Sequence, residues 1–223
     1  MSKNVLVIGA SRGIGKELVN QFAAKDLETF GFARSLENHS ENNLHFIHLD
    51  LLSPTIKSDF EKATEHIGHI DYLVHNAGFI AVKPFLELTR EDIQNCYQVN
   101  VLSVMEITQI CLPRMKRGGH VVMISSIGGF QGSSKFPGLA AYSTSKAALV
   151  SLTELLAEEF KNSGVSINCL CLGAVQTEMM EEAFPGYIAP HQPAEIAEFI
   201  VDFTLNNGTY FHGKIIPVSV SNP

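Results

Sequence analysis

No apolar run in these 223 residues approaches the roughly 20 that a helix needs to cross a bilayer, so no membrane span is expected. Met1-Ser2-Lys3-Asn4 leads straight into a strand-like run, which leaves no signal peptide or transit segment in view and predicts a cytoplasmic protein. Basic residues are scarce. Sixteen Lys and Arg against 23 Asp and Glu give a net charge of −7, which argues against nucleic acid as the main partner. Cysteine is also sparse: Cys96, Cys111, Cys169 and Cys171. The last two share one face of a predicted strand but lack the second Cys or His pair of a zinc site, so no metal is expected and the four read as reduced core thiols. Internal repeats, low-complexity tracts and linkers are missing. A hydrophobic content of 45% over this length then predicts one domain, residues 1–223, with a sizeable core.

Glycine is well supplied, and its placement is informative. Asn4-Val5-Leu6-Val7-Ile8 is a short β-branched run suited to a buried parallel strand. Leu18, Val19 and Phe22 mark a helix packed on a sheet. Between them lies Gly9-Ala10-Ser11-Arg12-Gly13-Ile14-Gly15. At a strand-to-helix turn, glycines let the backbone approach a diphosphate while the helix N-terminus points free N–H groups at the anion. A turn that merely packs close is the other reading of such glycines.

Strands are predicted at 4–8, 29–33, 45–48, 72–75, 120–125, 166–171 and 214–218, and helices at 14–24, 55–66, 91–116, 142–160 and 194–205. The alternation predicts βαβ units: an α/β fold with a doubly wound parallel sheet and helices on both faces. The 91–116 helix has Thr89 as its cap, Glu91 and Asp92 in its first turn, and an apolar stripe of Ile93, Tyr97, Val104, Ile107 and Cys111. Pro113 is expected to distort its last turn. Asn100 falls in that stripe, so its amide needs a partner.

Tyr142 precedes Lys146 by one helical turn, which places both side chains on one face. A phenol ionises near pH ~10, and an ammonium group beside it is expected to lower that value and make a usable proton donor and acceptor. By itself this spacing also describes an exposed i,i+4 pair.

Taken in order, these motifs resemble the short-chain dehydrogenase/reductase family over nearly the whole chain. Gly9, Gly13 and Gly15 match its glycine motif, Asn76-Ala77-Gly78 its second motif, and Asn100, Ser126, Tyr142 and Lys146 its catalytic set. Leu172-Gly173-Ala174-Val175-Gln176-Thr177 resembles its nicotinamide-side loop. The resemblance implies a Rossmann-type fold and hydride transfer between a nicotinamide and a carbonyl or alcohol. Ser126 and Tyr142 would bond the substrate oxygen, and Lys146 would support the phenolate and bind the nicotinamide ribose. Asn100 would hold a water that resupplies the proton, although a core Asn satisfied by backbone is the alternative.

The resemblance also implies the cofactor contacts. Ser11, Arg12 and Ile14 would join the glycines at the phosphates, Asp50 and Leu51 would flank the adenine, and Asn76, Ala77 and Gly78 would line the adenine-ribose side. Gly173, Val175 and Thr177 would meet the nicotinamide end. There are three departures. Ser126 stands 16 positions before Tyr142, further than usual, with the extra length in 131–139; Leu172 replaces a customary proline, and Ile8 a common threonine.

The cofactor expected is NADP(H) rather than NAD(H). The region that would carry a ribose-binding carboxylate reads Gly31-Phe32-Ala33-Arg34-Ser35, with no acid before Glu37. Arg34, with Ser35 beside it, and Arg12 can instead meet a 2′-phosphate. The segment 178–193 carries Met179, Met180, Phe184, Tyr187 and Ile188 and no Lys or Arg, which predicts a small, mostly apolar aldehyde or ketone. Those residues also suit plain docking of the loop on the body. A homodimer or homotetramer is expected, because the 142–160 helix is apolar on more than one side. A non-catalytic dinucleotide-binding sensor or scaffold of the same fold is the alternative function.

Overall fold

A computed structural model describes residues 2–220. Its strands are β1 (Asn4–Ile8), β2 (Glu28–Ala33), β3 (His39–Glu41), β4 (Leu44–His48), β5 (Ile70–His75), β6 (Met115–Ser126), β7 (Ser166–Leu172) and β8 (Ile215–Val218). They form one sheet in the order β3-β4-β2-β1-β5-β6-β7-β8. Every pairing is parallel except β3 with β4. The chain winds outward from β1 in both directions, so a crevice opens beyond the carboxyl ends of β1 and β5, where ligands bind in sheets of this kind.

The helices are α1 (Gly13–Ala23), α2 (Ile56–Thr64), α3 (Arg90–Tyr97), α4 (Ser103–Cys111), α5 (Ala140–Glu159), α6 (Glu178–Ala183) and α7 (Pro193–Asn206). Alternation along β1 explains why both faces of the sheet need covers. Leu6 and Ile8 join one core with Phe60 of α2, Ile107 of α4 and Leu149 of α5. Val5 and Val7 join the other with Leu18 and Phe22 of α1 and Ile200 of α7. All four cysteines are buried free thiols. Among the described residues, no helix is long and apolar enough to cross a membrane.

The predicted 91–116 helix needs correction. Its start is as read: Thr89 accepts from Asp92 N while the Asp92 carboxylate accepts from Thr89 N, a capping box. After Tyr97, however, one wider π-helical turn (Gln98–Leu102) interrupts the helix before α4 resumes. That turn shifts the helical register, so Ile93 is 41% exposed while Val104, Ile107 and Cys111 are buried. Pro113 closes the run in a short 3-10 turn (Leu112–Arg114), and Lys116 and Arg117 belong to β6. Two elements went unpredicted. β3 is wholly exposed and polar, without an apolar alternation to betray it. α6 lies inside the segment read as a loop, started by Thr177, whose hydroxyl accepts from Met180 N.

Candidate active site

A cavity of about 600 Å³ runs along the crevice, from the carboxyl ends of β4 and β2 past β1 and β5 to those of β6 and β7. Beyond β1, at the glycine turn, Ser11, Arg12, Gly13 and Ile14 line the wall with Gly9. The glycines are there for closeness. Gly9 has φ +91, and a Cβ on it would lie 2.5 Å from Ala77 Cα. A Cβ on Gly15 would lie 1.8 Å from the Gly9 carbonyl oxygen, so Gly15 serves tight packing of the turn and stands outside the cavity wall. Asn76 donates its side-chain N–H to that same carbonyl at 2.8 Å and thereby fastens the second motif to the first. Arg12 is engaged by Glu182 of α6 through two contacts, 2.5 and 3.2 Å long.

Beside the glycine turn, past the carboxyl ends of β2 and β4, Arg34, Asp50 and Leu51 line the wall. Arg34 is exposed and makes no hydrogen bond or ion pair among the described residues, which leaves its guanidinium available to an anion. Ser35 lies outside the wall, exposed one residue further along the chain. Asp50 accepts from Leu52 N at 3.0 Å, which shapes the turn after β4.

On the other side of the glycine turn, past β5, the fold gathers the remaining motif residues. Ser126 closes β6, Tyr142 lies in the first turn of α5, and Lys146 follows one turn later; all three line the cavity. Lys146 Nζ donates to the Ile124 carbonyl at 2.9 Å and lies 5.9 Å from the centre of the Tyr142 ring. Burial pushes the ammonium down to about 8, so it is mostly charged at neutral pH. The expectation that Lys146 lowers the Tyr142 phenol does not hold in this structure. Burial pushes Tyr142 up to about 12, and the opposing pull comes from the Ser126 hydroxyl. Desolvation outweighs an ammonium whose charge already faces a backbone carbonyl.

Asn100 sits in the π turn, 1% exposed. Its Oδ1 accepts from Phe79 N at 2.8 Å, and its Nδ2 donates to the Phe79 carbonyl at 3.0 Å and to Ser145 Oγ at 2.8 Å. Both amide N–H groups are thus used, and one Oδ1 lone pair remains. A Cβ on Gly78 would lie 3.6 Å from Lys146 Nζ and 3.8 Å from Asn100 Oδ1, so both polar atoms border the space that this glycine leaves open. Gly173, Val175 and Thr177 complete the wall, and the Thr177 hydroxyl keeps its own proton to donate.

Several contributors were missed from the sequence. Ser145 was not singled out, because its partner Asn100 lies 45 positions away in the chain. Phe79, Ile80, Phe136 and Leu139 line the cavity from segments with no periodicity to read. Glu182 carried no signal beyond its charge.

Residues 3–187 match the family model described as short chain dehydrogenase. The oxidoreductase UcpA of Salmonella typhimurium is 33% identical over 190 residues, which cover 80% of this chain and 72% of that protein. A short chain dehydrogenase from Shigella flexneri, solved in complex with NADP, superposes with a TM-score of 0.84 at 26% identity, covering 96% of each chain. A 4-hydroxyisoleucine dehydrogenase solved with NADH shares the fold at a TM-score of 0.87 and 22% identity, covering 98% of this chain and 97% of that one. These two neighbours carry different nicotinamide dinucleotides. The chain belongs to the short-chain dehydrogenase family.

Proposed function

From that membership of an oxidoreductase family, we propose that this chain is a cytoplasmic, single-domain NADP(H)-dependent reductase of small, mostly apolar aldehydes or ketones. The observation that carries the reading is the convergence of Ser126, Tyr142 and Lys146 on the cavity that the glycine turn opens. The residues present fit a dinucleotide: a glycine cradle without Cβ atoms, an unpaired Arg34 at one end, and the open space at Gly78 near the reacting groups. A bound nicotinamide supplies the hydride in the reductive direction.

The chain's own groups then manage the proton and the charge. Ser126 Oγ and Tyr142 Oη donate to the carbonyl oxygen and polarise it. Tyr142 releases its proton to that oxygen as negative charge develops there. Lys146 keeps a positive charge beside the phenol in a site of low dielectric. Asn100 offers its remaining lone pair to a water on the proton path, while its other bonds hold the π turn against Phe79 and Ser145. The preference for NADP(H) rests on Arg34, supported by Arg12 and by the lack of an acid at the end of β2.

The test is a panel of neutral aldehydes and ketones with NADPH and NADH, followed by nicotinamide absorbance and paired with equilibrium cofactor binding. Turnover of neutral carbonyls with higher kcat/KM for NADPH is expected. Activity confined to anionic or carrier-linked substrates would overturn the substrate class. Binding without turnover of any carbonyl would favour the sensor reading.

The same reading includes self-association. Leu155 of α5 is 65% exposed, and Leu102 of the π turn and Met105 of α4 are also exposed. Apolar surface of this kind is suited to a second copy. Light scattering at micromolar concentration is expected to give a dimer or tetramer mass, and a monomer would refute it.

A further inference from the structure

The segment 131–139 supplies two cavity residues, Phe136 and Leu139, and contains no helix or strand. It is nevertheless fixed at both ends. Ser133 Oγ donates within 2.7 Å of the Phe130 carbonyl and also lies 2.5 Å from that of Ile127. Lys135 Nζ donates to the Phe130 carbonyl at 2.6 Å, to Ser133 Oγ at 2.9 Å and to the Gly128 carbonyl at 3.1 Å. Those carbonyls belong to the turn that directly follows Ser126, and Gly128 N in turn donates to Ser126 Oγ at 3.2 Å. On the other side, Lys83 N donates to the Gly138 carbonyl at 3.0 Å. Lys83 is itself clamped to both oxygens of Asp92, at 2.7 and 2.9 Å.

Phe136 stands between these anchors. Its side chain is 48% exposed at the cavity wall and pairs with no other ring among the described residues. Tyr187, 51% exposed, lines the same cavity from the segment after α6. A large apolar ring left half in water on a pinned loop gains by being covered. An unpinned loop would have let it collapse onto the body.

We propose that Phe136 is a specificity-determining residue that packs against an aryl or similarly broad apolar substituent of the substrate, and that Lys135 is the positioning residue that holds it there. This rests on the carbonyl-reductase reading of the cavity. It goes beyond that reading by ranking substrates: an aryl ketone should be preferred over a short aliphatic one through Phe136.

The experiment compares acetophenone with 2-butanone in the wild type, Phe136→Ala, Lys135→Met and Lys135→Arg, at saturating cofactor. Phe136→Ala should raise KM for acetophenone about tenfold more than KM for 2-butanone, the size expected for one lost ring contact plus its buried area. Lys135→Met should move the same ratio in the same direction, and Lys135→Arg should restore it. Equal changes for both ketones would overturn the proposal. A second arm measures acetophenone binding to the cofactor-loaded protein by thermal shift and needs no turnover. If neither ketone is reduced, the reductase reading fails. Phe136 is then judged on binding alone: protection of the wild type but not of Phe136→Ala supports it, and equal or absent protection of both overturns it.

Discussion

Tyr142 carries a phenol pushed up to about 12, so at neutral pH it holds its proton and is poised as a donor. That suits reduction, where the substrate oxygen must gain a proton. Tyr142→Phe removes only the hydroxyl and leaves the ring in place. Turnover should fall by at least about 100-fold, the low end of what a positioned acid contributes, while cofactor affinity measured by titration stays close to wild type. Lys146, held at about 8, adds a pH signature. As pH rises through that value the ammonium loses its proton, so kcat/KM for reduction should decline above pH 8 in a pH–rate profile. The pairing of these two residues was legible from their four-residue spacing. The direction of the Tyr142 shift was not, because it depends on desolvation by segments distant in the chain.

Helices show the same division at the next scale. The start of α3 was readable because a capping box is local: Thr89 and Asp92 are three residues apart. The π turn after it was not readable, since Asn100 is drawn into place by Phe79 and Ser145 from other parts of the chain. α6 adds a contact that the sequence did not announce, its Glu182 on Arg12 of the glycine turn. On the proposed NADP(H) reading, a 2′-phosphate at Arg12 would have to compete with that carboxylate. Glu182→Gln should therefore tighten NADPH more than NADH. The pair is exposed, 48% and 62% for the two side chains, and such pairs are weak, so the gain should be only about two- to fivefold. Fluorescence titration with both cofactors checks it, and equal gains for the two would remove Arg12 from the 2′-phosphate.

Two histidines buried in the body set how the whole molecule responds to acid. His75 accommodates Thr108 Oγ1 at 2.9 Å on one nitrogen, and burial pushes it down to about 3. His120 spans the Thr204 carbonyl and the Asn168 amide, and burial pushes it down to about 4. Both are neutral in the folded protein below the ordinary value of 6.5, where the unfolded chain takes up the proton. Their contribution is therefore complete above pH 6.5 and lost as pH falls, for His120 down to about 4 and for His75 down to about 3. The loss is about 1.4 kcal/mol per pH unit for each histidine. Urea unfolding between pH 7 and 4 should show this decline, and His120→Gln should make it shallower. A flat profile over that range would contradict the burial of these rings.

The alternation of apolar runs with helical periodicity determined the doubly wound sheet, because a strand buried on both faces and a helix packed on it each leave a local pattern. Gly9, Asn76, Ser126, Tyr142 and Lys146 were singled out by the resemblance of several motifs, taken in order, to one family, and all five line the cavity. Tertiary structure alone decided that Arg12 meets Glu182, that Gly15 packs under Gly9 instead of lining the cavity, and that Phe136 stands at its mouth. These depend on segments far apart in the chain arriving within a few ångströms of each other. Distance along a sequence carries no record of such an approach.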